Sequence, residues 1–255
     1  MTNITRAKGC SSFAGCAIFI ASMNGVERIT LPVVLNRASV RELAADLQRV
    51  SSGSAPVVVI EGRDGTFCRG LDLAMPGSAD ARTGIASLVE CLHMLRQLAK
   101  PTIALVDGVA IGGGVGLAAA CDLVIASERA TFGLPELLYG FVPAIVLPFL
   151  LERLSPQKLR LAGLSARTFS AAEAVACGLA DVLPSDPPAE LRAAVRRFSR
   201  AQPSAVEKWK AFSAPPRSHA GLDVTAATLE DPSVARRVQT FLSDGTAPWL
   251  QDCND

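Results

Sequence analysis

Two short segments have residue types that could do chemistry. Phe67-Cys68-Arg69-Gly70-Leu71-Asp72 follows a strand and a turn, and Ile111-Gly112-Gly113-Gly114-Val115-Gly116-Leu117 lies between a strand and a helix. Three adjacent glycines at a helix start let a ligand come close to the backbone, and the first N–H groups of a helix have no intrahelical acceptor. That end of a helix also favours developing negative charge, such as an enolate oxygen. The same triplet suits plain close packing of a helix on a strand. No Gly-Lys-Ser/Thr follows it, which argues against a nucleotide P-loop, and no GxGxxG stands in register with a later ribose-binding acid.

Proton transfer beside such a cradle needs a carboxylate. Glu136 is the first candidate, within Leu134-Pro135-Glu136-Leu137-Leu138-Tyr139-Gly140-Phe141. Its apolar neighbours predict a pKa raised toward neutrality, suited to taking and returning a proton. An acid at an isolated helix end would instead be solvated. Asp72 is the second candidate, with turn capping as its other reading. Tyr139 is the chain's only tyrosine. It stands one turn beyond Glu136 and suits a substrate hydrogen bond or core packing. Arg69 could grip a carboxylate or a phosphate, or simply face solvent. His93 sits among apolar helical residues, which favours packing.

The elements that must position these residues can be read from periodicity. Ala14–Ser22 and Val26–Leu35 read as strands, and Ser39 can cap a helix carrying Val40, Leu43, Leu47 and Val50 on one face. Val57–Ile60 reads as a buried strand ending at the Asp64-Gly65 turn, and Phe67–Asp72 as a loop. Residues 74–84, small and polar, are the best candidate for a mobile loop. A helix is expected over about 85–99, stopping before Lys100-Pro101. Thr102–Val106 is a strand, Asp107-Gly108 a turn, and the glycine triplet opens a helix to about Cys121. Asp122–Ala126 is a further strand. Ser170 to Glu173 forms a capping box, and Gly178 is a helix stop. Strands alternating with helices over about 57–183 predict an α/β protein. The last 65 or so residues read as helical, including a helix after Asp231-Pro232 with Val234, Val238, Phe241 and Leu242 on one side. The predicted division is a core over 1–195 and a helical region over 196–255.

Bulk composition narrows the partners. The chain has 255 residues, 49% hydrophobic and 19% charged, with a net charge of +1. That supports a sizeable core and gives no electrostatic case for nucleic acid or an anionic membrane. The run at 14–22 is too short for a signal peptide core, and no stretch approaches the ~20 apolar residues of a membrane helix. Seven cysteines without a CxxC pair, and two isolated histidines (His93 and His219), make a zinc site improbable. The expectation is a cytoplasmic protein with reduced thiols and no cofactor.

The segments 67–73 (FCRGLDL) and 100–143 (KPTIALVDGVAIGGGVGLAAACDLVIASERATFGLPELLYGFVP) together resemble the crotonase (enoyl-CoA hydratase/isomerase) superfamily in order and spacing. The Ser170–Asp181 stretch is similar too, so the likeness spans about 14–183. It implies a ββα spiral core and a helical C-terminal oligomerisation region, with assembly as a homotrimer or a dimer of trimers. It further implies that the N–H groups of Leu71 and Gly113 form an oxyanion hole for a thioester, with Gly112 beside the acyl group. Typical hydratases carry one glutamate in the glycine helix and a second about twenty residues on. Here the first position is Gly116 and the second is Glu136, which implies elimination with one carboxylate. Residues 132–150 and 203–210 resemble the dehydratases of polyketide β-branching cassettes. These convert 3-hydroxy-3-methylglutaryl to 3-methylglutaconyl thioester on an acyl carrier protein through its phosphopantetheine arm. Other readings are a catabolic hydratase/isomerase on a CoA thioester, the cassette decarboxylase, or a non-catalytic scaffold of the same fold. A carrier protein is usually acidic, so a basic rim is expected at the tunnel mouth, with Arg63, Arg69, Arg82, Lys208 and Lys210 as the candidates for it.

Overall fold

The computed structural model describes residues 19–23, 25–72, 79–213 and 220–244. Its strands are β1 (Phe19–Met23), β2 (Val26–Thr30), β3 (Val57–Glu61), β4 (Thr66–Cys68), β5 (Thr102–Val106), β6 (Val109–Ile111), β7 (Leu123–Ala126), β8 (Thr131–Gly133) and β9 (Thr168–Ser170). Between and after them come α1 (Arg37–Ser52), α2 (Ala79–Gln97), α3 (Gly113–Ala119), α4 (Glu136–Tyr139), α5 (Leu147–Leu151) and α6 (Pro156–Ser165). The chain continues with α7 (Ala171–Cys177), α8 (Pro187–Phe198), α9 (Pro203–Ser213), α10 (Ala220–Leu229) and α11 (Pro232–Asp244).

The strands form two sheets, one five-stranded in the order β1-β2-β3-β5-β7 and one four-stranded in the order β4-β6-β8-β9. Each successive unit of two strands and a helix gives one strand to each sheet: β3 and β4, then β5 and β6, then β7 and β8. The pairs β3–β5, β5–β7, β4–β6 and β6–β8 are all parallel. This is the ββα spiral. Residues alternate between two cores along β3, as period-two side chains must. Val57 and Val59 pack toward Leu191 and Ala194 of α8, whereas Val58 and Ile60 join the main core under α1 and α2.

Several boundaries differ from expectation. The second strand ends at Thr30 rather than Leu35, because Pro32 brings no N–H to a ladder. The cap of α1 is Asn36, with Ser39 as its reciprocal partner at the third helical position. Phe67 and Cys68 belong to β4, where both are buried. The mobile loop expected over 74–84 is helical from Ala79 onward, since α2 begins there and ends at Gln97. Its remainder, 74–78, lies outside the described residues, as do 14–18 of the first expected strand. The capping box at Ser170 and the left-handed cap at Gly178 are found as expected.

The boundary at 195/196 falls inside α8. Beyond it, α9 is fastened to the core by Lys210, whose buried Nζ lies 2.6 Å from Asp122 Oδ2 and 3.0 Å from the Lys100 carbonyl. Helix α10 folds back on its own chain, with Thr225 Oγ1 donating to the Val142 carbonyl at 2.9 Å. In α11, Val234 and Val238 are buried, Phe241 stacks edge-on against Tyr139 at 5.5 Å, and Leu242 is exposed.

Candidate active site

Three strand ends converge because β4, β6 and β8 run parallel side by side. The chain leaves β4 through Arg69–Asp72, leaves β6 into Gly112 and α3, and leaves β8 through Leu134 and Pro135 into Glu136. Between them lies a cavity of about 110 Å³. Arg69, Leu71, Asp72, Gly112, Gly113, Glu136 and Tyr139 all line it. Every residue singled out from the sequence for this chemistry is therefore brought to one place.

The Leu71 and Gly113 N–H groups are set side by side by glycine geometry. Gly70 has φ +78°, and a Cβ added there would stand 2.9 Å from the Gly113 nitrogen. A Cβ on Gly113 would stand 3.8 Å from the Leu71 nitrogen. Among the described residues, neither N–H donates to a backbone carbonyl. Gly112, with φ +54°, donates its own N–H to the Gly133 carbonyl and marks the start of α3. Two neighbouring N–H groups without a backbone acceptor are the kind of donors that an oxyanion requires.

Glu136 opens α4 and is 6% exposed. A Cβ on Gly112 would collide with its carboxylate, so this side chain lies directly against the glycine helix. Its Oε2 is buried with no hydrogen-bond partner. Burial raises its pKa from 4.5 to about 7, against a smaller lowering by its own backbone hydrogen bond. An acid with that pKa can act as base and acid near neutrality. The hydroxyl of Tyr139 is pushed up by burial and then by the Glu136 charge.

One turn further along α3, Gly116 faces something different. A Cβ there would collide with Val146, 2.9 Å from that residue's Cβ. Hydrocarbon fills the space where a second carboxylate would need to stand.

Asp72 is exposed on the rim and donates its N–H to the Leu35 carbonyl at 2.8 Å. Arg69 is exposed there too. Of the other candidates for a basic rim, Arg82 pairs with Asp223 at 2.8 Å, and Lys210 is buried in its ion pair with Asp122. Arg63 and Lys208 are not among the cavity's lining residues. His93 packs on Phe149, and burial pushes the thiols of Cys68, Cys91 and Cys121 up to about 12, which leaves them inert. Among the described residues no group of His, Cys, Asp or Glu could hold a metal, and no helix is long and apolar enough to cross a membrane.

The cavity also has walls that no sequence pattern marked. Asn36 and Arg37 at the start of α1, Val146, and Thr225 and Leu229 of α10 all line it. The Asn36/Ser39 capping pair was a usable signal for the first two, since it moves the start of α1 back to Arg37. Nothing local signals that α10 returns to this site.

The fold and the site define a crotonase-superfamily lyase, and the chain belongs to the enoyl-CoA hydratase/isomerase family, whose profile matches residues 23–225. The Bacillus subtilis bacillaene synthase dehydratase PksH is 29% identical over 226 residues, 84% of this chain and 87% of that protein. The crystal structure of the polyketide biosynthesis enoyl-CoA hydratase pksH from Bacillus subtilis matches with a TM-score of 0.81 at 25% identity, covering 90% of this chain and 98% of that one. The Aspergillus fumigatus mevalonyl-coenzyme A hydratase sidH is 35% identical over 168 residues, 58% of this chain and 60% of that protein. The chain is accordingly a hydratase/dehydratase.

Proposed function

We propose that the chain dehydrates 3-hydroxy-3-methylglutaryl thioester on an acyl carrier protein to 3-methylglutaconyl thioester. The observation that carries this reading is the asymmetry of α3. One buried carboxylate with a free oxygen faces the cavity, and the place for a second is closed by Val146. In this mechanism the Leu71 and Gly113 N–H groups take the thioester oxygen. Glu136 removes the α-proton, and the electron pair moves into the thioester to give an enolate. The enolate collapses to the new double bond as the C3–O bond breaks. Glu136 returns its proton to the departing hydroxyl, which leaves as water. Base and acid are the same group, so the two transfers occur on one face. Tyr139 hydrogen-bonds the substrate, and Asp72 orders the rim. The likeness to PksH, named a dehydratase of bacillaene synthase, supports dehydration as the reaction.

The test is kcat/KM for this acyl group on an acyl carrier protein against the same group on CoA, at low and high salt. A preference for the carrier protein that shrinks as salt rises is expected. Equal values on both carriers would remove the carrier-protein assignment. A CoA-thioester reading is favoured by one observation, the likeness to a mevalonyl-coenzyme A hydratase, and equal values would support it.

A further inference from the structure

We infer that Arg37 and Arg69 together hold the terminal carboxylate of the acyl group, and so select a dicarboxylic thioester over its neutral counterpart. The inference rests on the dehydratase reading and adds a substrate-binding residue, Arg37, to it.

The two arginines come from distant parts of the chain and are fixed together by backbone. Arg69 N donates to the Val33 carbonyl, Leu35 N to the Gly70 carbonyl and Asp72 N to the Leu35 carbonyl, each at 2.8 Å. Leu71 lies within this stitched pair of segments, bridged to Leu35. Arg69 is two residues from Leu71, at most ~7 Å along the chain. Arg37 follows Asn36 directly, at the first position of α1. The backbones that carry both arginines are thereby tied to the strand end that presents the proposed thioester-oxygen site.

Among the described residues, the charge that lines the cavity is confined to a few side chains. Arg37 and Arg69 are the only cations among the described lining residues. The inner wall is formed by residues such as Ile85, Leu88, Phe141, Ile145 and Val146. A carboxylate turned toward that wall would lose its hydration without compensation. Carbon 3 of the acyl group carries both a methyl and a carboxymethyl arm. The wall takes the methyl, and the carboxymethyl arm turns back to the arginines. The phosphate of a pantetheine arm lies many bonds further out and does not need this pair.

The 3-hydroxy-3-methylglutaryl and mevalonyl groups differ only at carbon 5, carboxylate in one and CH2OH in the other. The experiment measures kcat/KM for both, as CoA thioesters and as N-acetylcysteamine thioesters that lack phosphate, with wild type, Arg37→Ala and Arg69→Ala. The glutaryl-to-mevalonyl ratio should fall about tenfold in each variant, on both carriers, as loss of a charge-assisted hydrogen bond predicts. Dissociation constants for 3-methylglutaryl and 3-methylbutyryl thioesters, which cannot turn over, should show the same selective loss. Equal losses on both acyl groups would overturn the inference. So would losses that vanish on N-acetylcysteamine thioesters, which would assign the arginines to phosphate. Wild-type turnover of mevalonyl but not glutaryl thioesters would overturn this inference while leaving a hydratase. Turnover of neither, on these carriers or on an acyl carrier protein, would overturn the dehydratase reading itself.

Discussion

Two glycines one turn apart, at the start and in the middle of one short helix, treat the absence of a side chain in opposite ways. At Gly112 the missing Cβ makes room for the Glu136 carboxylate, whereas at Gly116 it makes room for Val146. The first opening is polar and ends in an unpartnered oxygen in a cavity. The second is sealed by hydrocarbon, in a region where Leu117, Ala118 and Val146 are almost wholly buried. A glycine-rich helix therefore does not define a two-carboxylate site by itself. What packs against each glycine decides whether the space serves chemistry or the core.

The polar end can be broken most severely at Gly113. Gly113→Pro removes one proposed oxyanion donor at a helix position that tolerates proline. A loss of about 10²–10³ in kcat is expected, measured on 3-hydroxyacyl thioesters with the fold checked by circular dichroism. Near-normal turnover would remove Gly113 from the hole.

Burial of Glu136 predicts a pH dependence with a defined sign. Its pKa is raised from 4.5 to about 7 in the folded chain, so the native state binds the proton more tightly than the unfolded state. Its contribution is fully present below about 4.5 and is lost as pH rises through about 7. The cost is on the order of 3 kcal/mol. Denaturant titrations of wild type and Glu136→Gln across that window should show the decline in wild type and its absence in the variant. Dehydration should run the other way, with kcat/KM rising through about pH 7 as the base form appears.

The sealed position at Gly116 sharpens the comparison through stability. Gly116→Ala forces a Cβ against Val146 and should cost ~1–3 kcal/mol by overpacking. Adding Val146→Ala should recover part of that loss, because the colliding methyl is gone. Additive losses in a double-mutant cycle would mean the two sites are not in contact. The smallest effect is expected at Tyr139, where Phe keeps the ring on Phe241 and removes only the hydroxyl. A few-fold rise in KM is expected, consistent with one hydrogen bond of ~1 kcal/mol.

Much of this site was legible because its determinants are local. The glycine triplet, the Arg69–Asp72 segment and Glu136 each follow a strand, and parallel pairing then brings three strand ends together. Glu136's raised pKa was expected from its apolar sequence neighbours; burial gives that direction, although Leu137 beside it is exposed. Ser39 was misread as a cap because Asn36 three residues earlier competes for the same role, and only the reciprocal bonds decide between them. The start of α2 at Ala79 was missed because small and polar residues form helix when tertiary packing holds them. Lys210 was expected at the surface, but its partner Asp122 is far away in sequence and only the fold joins them. Val146 against Gly116, and α10 against the cavity, are likewise long-range contacts with no periodic signature.

The central claim is that one carboxylate performs both proton transfers, and α-proton exchange tests it most directly. In D2O, wild type should incorporate deuterium at Cα of its thioester and eliminate water from a 3-hydroxyacyl thioester. Glu136→Gln should lose both activities together, by about 10²–10⁴, while still binding the unsaturated product thioester. Retention of elimination by Glu136→Gln, with its loss in Asp72→Asn, would contradict the account and hand the proton transfers to Asp72.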